Sequence, residues 1–468
     1  MFGGTNRVVV IGGGLSGLAV SHALIREANR EGRALRLTML ERGKRLGGNI
    51  HTEQKDGFVI EAGPDSFVVT RPHALHLCEE LGLSPRLIET NPAHRRVYIA
   101  RRGRLLPMPQ GLVLGIPSRV RPFLRSPLLS VRGKLRALRE VVKANPDAGG
   151  GDISLGDFLE RRFGREMVDV ILEPLLGGIY AGDASRLSLR STFPDWFSQS
   201  GSGSSLVRSV RAEQRAKRKA GPSPSPFRSL VSGMGELIDT LAGRVGAGAV
   251  RFGAEVLRVE REQRAFRVVM SDGELEADHV VVALPACAAA RLLSTFDEQL
   301  GRELESIEYV STATVTLAYQ RSQIRHPLDA AGFLVPRSEG LKVTAGTFIS
   351  SKWEGRAPEG HALVRGFVGG AHDETTASLP EDELVRIVRG ELGRMLGVSG
   401  EPAFARVYRY IKASPQPLVG HFERVARIRE RVAKTPGLYV IGNAYDGVGI
   451  PDCVRLAEQA ASQMRAGH

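Results

Sequence analysis

The N-terminal stretch of the chain combines an apolar run with three glycines at a fixed spacing. Residues 8–11 are four β-branched residues, which is typical of a buried parallel strand. Gly12, Gly14 and Gly17 follow in the pattern G-x-G-x-x-G, and the apolar residues 18–25 indicate a helix. In this pattern the glycines permit a tight turn, close approach of a pyrophosphate, and close packing of helix on strand. The stretch therefore predicts a strand–turn–helix unit that binds a diphosphate at the helix N-terminus.

The residues that follow make a chance run of glycines a weaker explanation. Residues 35–40 form a second apolar strand that ends at Glu41. An acidic residue about 20 residues beyond the glycines commonly binds the adenosine ribose hydroxyls. Arg45 then precedes a further glycine turn at Gly47 and Gly48. We interpret the two turns as one site for FAD, in preference to NAD, with an ordinary strand–turn–helix unit as the alternative.

Length, hydropathy and cysteine content exclude several classes of protein. A chain of 468 residues is expected to divide into two or three domains. No apolar run approaches the 18 or more residues that a membrane-spanning helix needs, and the start of the chain lacks the features of a secretory signal. Cys78, Cys287 and Cys453 are too few and too scattered for a disulfide framework or a metal site. We therefore predict a cytoplasmic protein without a metal.

The net charge of +13 is concentrated in one region, because residues 95–143 contain 13 Lys or Arg and a single acidic residue. Within it, residues 111–129 alternate short apolar runs with Arg119, Arg121 and Arg125. Long basic side chains can lay their stems on an apolar surface while their charged ends reach anionic groups. The segment therefore predicts contact with an anionic membrane surface, with a solvated basic surface as the alternative. No nucleic-acid-binding module surrounds the patch, so nucleic acid is not expected.

Four further segments suggest how the middle of the chain is organised. Residues 173–183 are so rich in glycine that we predict a loop whose backbone can approach a ligand closely. Residues 206–227, rich in serine, proline and basic side chains, predict a flexible surface segment. Residues 310–320 and 341–368 alternate in the manner of antiparallel strands, which indicates a second domain with a mixed sheet.

The C-terminal part of the chain repeats the pattern of the N-terminal part. An apolar strand that begins at Leu438 is followed by the glycine-rich residues 442–449 and by a helix predicted over residues 454–465. The N-terminus of that helix would face whatever the first glycine turn binds. We expect the two turns, from opposite ends of the chain, to meet around one cofactor.

With these motifs the chain resembles the oxygen-dependent protoporphyrinogen oxidase family, within the amine-oxidase and phytoene-desaturase group of flavoproteins. The resemblance extends along almost the whole chain. Its most specific motifs are residues 61–67, 178–183, 188–194, 366–370, 442–449 and 452–453.

The resemblance implies an α/β fold in three parts. These are a Rossmann-like FAD-binding domain assembled from discontinuous segments, a mixed-sheet α+β substrate domain and a helical membrane-associating insertion. The predicted boundaries are residues 1–90, 228–292 and 405–468 for the FAD-binding domain, 91–205 for the basic, helical membrane-associating region, 206–227 for the flexible basic segment and 293–404 for the substrate domain.

The resemblance also implies non-covalent FAD, because residues 442–449 offer no cysteine at the family's attachment point. In the family the flavin ring lies under this loop, and a strand here represented by Val256 contacts adenine. The predicted cofactor-binding residues are Gly12, Gly14, Leu15, Ser16, Gly17, Glu41, Arg42, Arg45, Gly47, Gly48, Gly63, Pro64, Asp65, Ser66, Val256, Gly442, Asn443, Val448, Gly449 and Ile450.

For the substrate, the resemblance implies a porphyrinogen ring against the loop that contains Gly178. The ring would lie between three apolar residues, which could equally belong to a core, and one of two arginines would pair with a propionate. The family's own arginine aligns one position later, at Val97. The predicted substrate-binding residues are Arg95, Arg96, Leu334, Phe348 and Phe367. The Gly178 carbonyl or a water would assist loss of a pyrrole proton.

The implied reaction is the oxidation of protoporphyrinogen IX to protoporphyrin IX in haem biosynthesis. It would take three two-electron steps, with FAD as the redox group, O2 as acceptor and H2O2 released. Coproporphyrinogen III is the alternative substrate. An FAD amine oxidase, a carotenoid desaturase and a non-catalytic flavoprotein are more distant alternatives. The implied partners are the porphyrinogen, O2 and the inner face of the plasma membrane, with a homodimer left open.

Overall fold

The computed structural model describes residues 6–142, 151–200, 204–219, 225–263 and 265–466. The strands, numbered along the chain, are β1 Asn6–Ile11, β2 Leu35–Glu41, β3 Thr52–Lys55, β4 Phe58–Glu61, β5 Phe67–Val68, β6 Leu87–Glu89, β7 Val97–Arg101, β8 Arg104–Pro107, β9 Leu112–Val113, β10 Ile116–Pro117, β11 Phe227–Leu230, β12 Val250–Phe252, β13 Val256–Glu262, β14 Ala265–Met270, β15 Gly273–Ala277, β16 His279–Val282, β17 Tyr309–Gln320, β18 Gly332–Leu334, β19 Val343–Phe348, β20 His361–Gly369, β21 Phe404–Pro415 and β22 Leu438–Val440.

The α-helices are likewise numbered along the chain, and a π-helical turn, Val168–Leu172, joins the sixth to the seventh. They are α1 Leu15–Glu31, α2 His73–Glu80, α3 Val120–Arg125, α4 Val131–Val142, α5 Leu155–Phe163, α6 Arg165–Met167, α7 Glu173–Tyr180, α8 Leu189–Thr192, α9 Pro194–Ser200, α10 Leu206–Lys219, α11 Gly235–Val245, α12 Ala286–Leu293, α13 Glu298–Glu305, α14 Ile349–Lys352, α15 Glu381–Leu396, α16 His421–Ala433 and α17 Ile450–Ala466.

A five-stranded parallel sheet joins the two ends of the chain, in the order β12-β2-β1-β16-β22. β1 lies at its centre, where Val8 pairs with Leu37 on one side and with His279 on the other. The last four residues of β1 are buried, as expected for a strand covered on both faces. The predicted buried parallel strand is therefore confirmed. α1 begins at Leu15, earlier than residues 18–25 predicted.

A seven-stranded mixed sheet, in the order β21-β17-β20-β19-β18-β7-β8, forms the second large unit. β17, β20 and β19 pair antiparallel, which confirms the pattern predicted from residues 310–320 and 341–368. α15 covers one face, where Val388 and Leu392 share a core with Val364 of β20. On the opposite face, α7 of the middle region lies against β18 and β19.

The seven-stranded sheet departs from the predicted domain boundaries in two places. The hairpin β7–β8, predicted within residues 91–205, belongs to this sheet because β7 pairs with β18. β21, predicted within residues 405–468, is an edge strand paired with β17. The sequence pattern marks strands but does not show their partners, and backbone pairing with a distant strand decides which sheet each joins.

Helices α3 to α10 enclose a core of their own, which includes Phe158, Ile171 and Trp196. α10 corrects the prediction of flexibility for residues 206–227, because Leu206, Val207 and Val210 recur at helical spacing and are buried. Residues 220–224 of that segment lie outside the described residues. In the part of the chain that the structure describes, no helix has the length and apolar character needed to cross a bilayer.

The second correction concerns residues 173–183, where α7 replaces the predicted loop. Pro174 occupies the first turn, where its missing N–H costs little, and Leu176 is buried in the helical core. The helix ends at Ala181, whose φ of 51° is left-handed. Its two glycines lie near this end, where their low helix propensity matters less than in a long helix interior.

Candidate functional site

The first glycine turn has the geometry that a diphosphate site requires. Gly12 has a φ of 107°, and a methyl group on Gly17 would overlap the Gly12 carbonyl oxygen. Gly14 precedes α1 without a side-chain cap. A methyl group there would meet only the Gly48 α-carbon, at 3.9 Å. The turn therefore leaves a cleft beside Gly14, and the backbone N–H groups that start α1 point towards it.

Two side chains hold the neighbouring turn against this cleft. The Glu41 carboxylate, at the end of β2, accepts hydrogen bonds from Gly13 N–H at 2.8 Å and from Gly43 N–H at 2.6 Å. Arg45 donates to the Gly48 carbonyl at 2.7 Å, so it shapes the second turn from outside. Gly47 N–H donates to the Gly13 carbonyl at 2.8 Å. Glu41, Arg45, Gly47 and Gly48 are thus brought together as predicted.

The residue predicted to contact adenine, Val256, begins β13 beside the first glycine turn. Ala254 N–H donates to the Glu41 carbonyl at 3.1 Å, which places Val256 close to the end of β2. The Arg42 side chain is largely exposed and lies 3.8 Å from the Glu255 carboxylate, so its predicted contact with the cofactor stays a prediction.

The C-terminal turn meets the first one. α17 begins at Ile450, four residues before the predicted start, so Gly449 lies directly before a helix. Ile450 and Val454 share a core cluster with Leu15 and Leu18 of α1, and the two helices pack against each other. Two helix N-termini from opposite ends of the chain therefore converge on one cleft, as the two patterns predicted.

The loop between β22 and α17 lines a small pocket. Asn443 and Val448 line it together with Tyr180 and the buried His421. Burial lowers the pKa of His421 to about 4, so this ring is neutral at physiological pH. Gly442 has a φ of 148°, a conformation that favours glycine at the start of the loop.

Residues 63–66 lie between β4 and β5 and are bound to the seven-stranded sheet. A methyl group at Gly63 would overlap the Asn49 carbonyl oxygen, so only glycine fits there. Asp65 is buried and accepts from Lys352 at 2.8 Å and from Trp353 Nε1 at 3.2 Å. Burial opposes its ionisation, yet the charges of Lys352 and Arg365 hold the pKa of Asp65 well below its usual value.

The Asp65 carboxylate is thus bound by side chains of the protein itself, including the Ser66 hydroxyl, which donates to it at 2.8 Å. The neighbouring Pro64 is exposed. Arg365 of β20 completes the link by donating to the carbonyls of Glu61 at 3.1 Å and Gly63 at 2.9 Å. The sequence analysis did not single out Arg365. Its signal was a charged residue inside an otherwise apolar strand, since such a residue must find partners when buried.

One face of the seven-stranded sheet carries a row of cross-strand partners. Directly opposite residues point to the same face, so Phe367, Ala345 and Leu334 lie side by side. Gly178 of α7 lies over this row, because a methyl group there would be 3.8 Å from Leu334 Cδ2. The row continues on both sides of these three as Tyr408, Thr314, Phe367, Ala345, Leu334, Ile99 and Leu106.

Phe348 does not belong to this row. It follows Ala345 by three residues, so the alternation of β19 turns it to the opposite face, where it pairs with Val364. Its ring is fully buried and lies 5.9 Å from that of Phe333 and 5.4 Å from that of His326. The predicted substrate contact at Phe348 is therefore corrected to a core residue.

The two predicted arginines also lie away from the row. Arg95 forms an ion pair with Glu89 of β6 at 3.2 Å. Arg96 precedes β7, in which Tyr98 packs with the core beneath α15 while Ile99 joins the row. Alternation therefore assigns Arg96 to the side of Tyr98, and Val97 to the side of Leu334. The structure brings Gly178, Leu334 and Phe367 together but leaves both arginines out.

α7 is held at both ends by the loops of the seven-stranded sheet. His372 Nε2 lies 3.0 Å from Glu173, the first residue of α7, and 3.9 Å separates His372 Nδ1 from Asp183. Arg337 adds a contact with Glu173 at 3.4 Å. The hydrogen bond from His372 lowers the pKa of Glu173. Because the Arg337 guanidinium lies against Glu173, we interpret the cluster of Glu173, Asp183 and His372 as a clamp on α7 rather than as a metal site.

Comparison with known proteins identifies the relatives of the chain. The family described as "Flavin containing amine oxidoreductase" matches residues 15–465. Coproporphyrinogen III oxidase from Bacillus subtilis is 34% identical over 99% of this chain and 98% of its own. Protoporphyrinogen oxidase 1 from the chloroplast of Arabidopsis thaliana is 29% identical, over 98% and 88%. A crystal structure described as a putative protoporphyrinogen oxidase from Exiguobacterium is 33% identical, covers 99% of this chain and 100% of its own, and has a TM-score of 0.88.

Proposed function

Because the chain belongs to the flavin-containing amine oxidoreductase family, and within it to the flavin-dependent porphyrinogen oxidases, we propose that it oxidises coproporphyrinogen III to coproporphyrin III. The observation that carries the choice of substrate is the full-length match, at 34% identity, to a coproporphyrinogen III oxidase. Protoporphyrinogen IX is the second candidate, supported by the 29% identity to the plant protoporphyrinogen oxidase.

The cofactor we propose is non-covalent FAD. The backbone at Gly14 and the N-terminus of α1 would hold the diphosphate, and Glu41 would bind the ribose after exchanging its bonds to Gly13 and Gly43. The loop before α17 would cover the flavin ring. When bound, the flavin supplies hydride acceptance from a bridging methylene, and O2 restores it with release of H2O2.

The protein's own contribution is to place the ring and to accept a hydrogen bond from a pyrrole N–H, whose proton then leaves to water. The apolar row of Leu334, Ala345 and Phe367 offers a surface for a flat macrocycle, with α7 on its other side. Since α7 ends at Tyr180, the carbonyls of its last turn lack helical donors. The Gly177 carbonyl accepts a hydrogen bond from Ala181 N–H, and the Tyr180 carbonyl accepts one from the Gln416 side chain. Gly178, between them, is exposed. The Gly178 carbonyl is therefore our candidate to accept a pyrrole N–H.

The substrate choice is tested by steady-state kcat/KM for the two porphyrinogens under identical detergent and salt. We expect coproporphyrinogen III to be preferred by about tenfold or more, because its two additional carboxylates can each form a charge-assisted hydrogen bond. Equal values, or a preference for protoporphyrinogen IX, would reverse the assignment in favour of the second candidate.

We further propose that the basic region rests on an anionic membrane surface. On α4, Val131, Leu135 and Val142 are 71%, 62% and 81% exposed, while Ala137 and Glu140 of the opposite side are buried. The exposed Arg119, Arg121 and Arg125 lie on the neighbouring α3 segment. An exposed apolar stripe beside arginines suits the interface of a bilayer, where apolar side chains enter and arginines meet phosphates.

Flotation with vesicles that contain anionic lipid tests this surface. We expect the wild type to float and the triple variant R119S/R121S/R125S to remain largely in the dense fraction. The matched control is R258S/R291S/R302S, which removes the same charge from exposed positions on other parts of the molecule. Equal flotation of the two triple variants would contradict a specific role for the basic region.

A further inference from the structure

Arg95 and Arg96, which were predicted to bind a carboxylate of the porphyrinogen, lie away from the apolar row. Another cation would have to bind that carboxylate. Among the arginines near the site, Arg71 differs from Arg365 because it is accessible. Arg365 is 3% exposed and is bound to the carbonyls of residues 61 and 63, whereas the Arg71 side chain is 51% exposed. A ligand could therefore reach Arg71.

The partners of Arg71 place it between the two elements that enclose the site. Its Nη1 lies 2.5 Å from both carboxylate oxygens of Asp452, in the first turn of α17. Asp452 in turn accepts from Gly449 N–H at 3.3 Å, at the end of the loop over the proposed flavin ring. Arg71 thus stands at the edge of that loop.

α7 approaches the same loop through Tyr180, which lines one pocket with Gly447 and Val448. A methyl group at Gly447 would lie 2.5 Å from a carboxylate oxygen of Asp452, the partner of Arg71. The charges of Asp452 and Arg71 also act on the Tyr180 phenol, whose pKa burial raises to about 12. Tyr180 follows Gly178 by two residues on α7, and Gly178 covers Leu334. The guanidinium is therefore near the rim of the apolar row rather than on a remote surface.

The geometry of the ion pair leaves part of the guanidinium available. The described bonds from Arg71 to Asp452 both come from Nη1, and a guanidinium carries five N–H donors in a plane. Asp452 is nearly buried and fixes one edge, which orients the opposite edge towards solvent. A fixed planar edge suits bidentate binding of a carboxylate better than a flexible ammonium does.

We propose that Arg71 binds a propionate carboxylate of the porphyrinogen and so acts as a specificity-determining residue. This inference rests on the proposed function and names one residue through which the site would recognise its substrate. The adjacent ring would then lie along α7 with its apolar surface on Leu334 and Phe367.

The test is equilibrium binding of the product, coproporphyrin III, to the FAD-loaded enzyme, followed by porphyrin absorbance. We expect Arg71→Met to raise the dissociation constant about tenfold, the effect of losing one charge-assisted hydrogen-bond pair. Arg71→Lys should recover most of the affinity, because it keeps the charge. The matched control is Arg427→Met, another half-exposed arginine that pairs with a largely buried carboxylate, Glu303, and it should bind as the wild type does.

A second ligand separates recognition from a structural effect through Asp452. Coproporphyrin III tetramethyl ester, in the same detergent, has no carboxylate to pair, so R71M and wild type should bind it equally. Loss of affinity for acid and ester alike, loss of bound FAD in R71M, or wild-type affinity of R71M would each overturn the proposal. A wild-type enzyme that turned over porphyrinogen while R71M bound normally would refute Arg71 alone. A wild type inactive on both porphyrinogens would refute the proposed function and this inference together.

Discussion

At the scale of single residues, Gly14 separates folding from cofactor binding. Gly14 has a φ of −72°, and a side chain there would meet only Gly48. We therefore expect Gly14→Val to fold normally but to bind FAD at least about tenfold more weakly, because the branched side chain would fill the approach to the diphosphate. Thermal unfolding of the apoprotein and titration with FAD measure the two effects.

The control for Gly14 is Gly243→Ala, in the interior of α11, where nothing lies within 4 Å of the added methyl group. That variant should keep full FAD affinity and gain slightly in stability, since alanine favours a helix. Unchanged FAD binding in G14V would show that the diphosphate does not approach this turn.

His421 gives the protein a pH-dependent stability. Its folded pKa, about 4, lies below the usual value of 6.5, so the unfolded chain binds more protons between these pH values. Stability should therefore fall as the pH drops from 6.5 towards 4, by up to on the order of 3 kcal/mol from this residue. Denaturant unfolding of wild type and His421→Leu across this range measures the difference, and identical slopes for the two proteins would contradict it.

At the scale of elements, α7 depends on its clamp. We expect His372→Ala to loosen the start of α7 and to lower kcat severalfold while FAD binding is preserved, because the hydrogen bond between His372 and Glu173 contributes about 1 kcal/mol. Hydrogen exchange of the α7 amides should rise in the same variant. Glu423→Gln, which breaks the distant pair with Arg190, is the control and should change neither quantity.

A more acid pH should weaken the same clamp. The folded pKa of Glu173 is lowered, so the stability that its ionised form supplies is present above its unfolded pKa and is lost as the pH falls through the lowered folded value. The protection factors of the α7 amides, corrected for the intrinsic pH dependence of exchange, should accordingly fall at low pH in the wild type and show less pH dependence in Glu173→Gln. A pH response that is the same in both proteins would contradict this account.

Patterns confined to one element could be predicted from the sequence. The apolar run and glycine spacing around Gly12 specify a strand, a turn and a helix locally, and the structure has all three. α10 could not be recognised because Leu206, Val207 and Val210 were hidden among polar residues whose composition suggests disorder. Its start is stabilised from elsewhere in the chain by Glu140, which accepts from Leu206 N–H at 2.7 Å.

The face on which a side chain lies was harder to predict. Phe348 and Phe367 both occur in strands of one sheet, and only the register between β19 and β20 shows that they point to opposite sides. Arg96 is excluded from the site for the same reason, since one residue changes the face. Arg71 escaped notice because its partner, Asp452, is 381 residues away in the chain.

At the scale of the whole molecule, the buried charges around Asp65 hold residues 61–65, far away in the chain, against the seven-stranded sheet. Arg365→Met would leave the carbonyls of Glu61 and Gly63 without their donor and Asp65 with less positive charge. We expect a loss of about 3–5 kcal/mol in the free energy of unfolding, the cost of breaking a buried ion pair. The control is Arg386→Met on the exposed surface of α15, which should change stability by less than about 0.5 kcal/mol.

The convergence of both chain ends on one cleft is what makes the molecule a candidate porphyrinogen oxidase. The central claim is that a flavin bound there accepts electrons from a porphyrinogen. The most direct measurement is anaerobic mixing of the FAD-loaded enzyme with coproporphyrinogen III while the visible flavin bands and porphyrin formation are recorded together. The account predicts that the flavin bleaches as porphyrin appears, with three flavins reduced for each porphyrin formed, and that admission of O2 restores the flavin. A flavin that stays oxidised both with coproporphyrinogen III and with protoporphyrinogen IX would contradict the account.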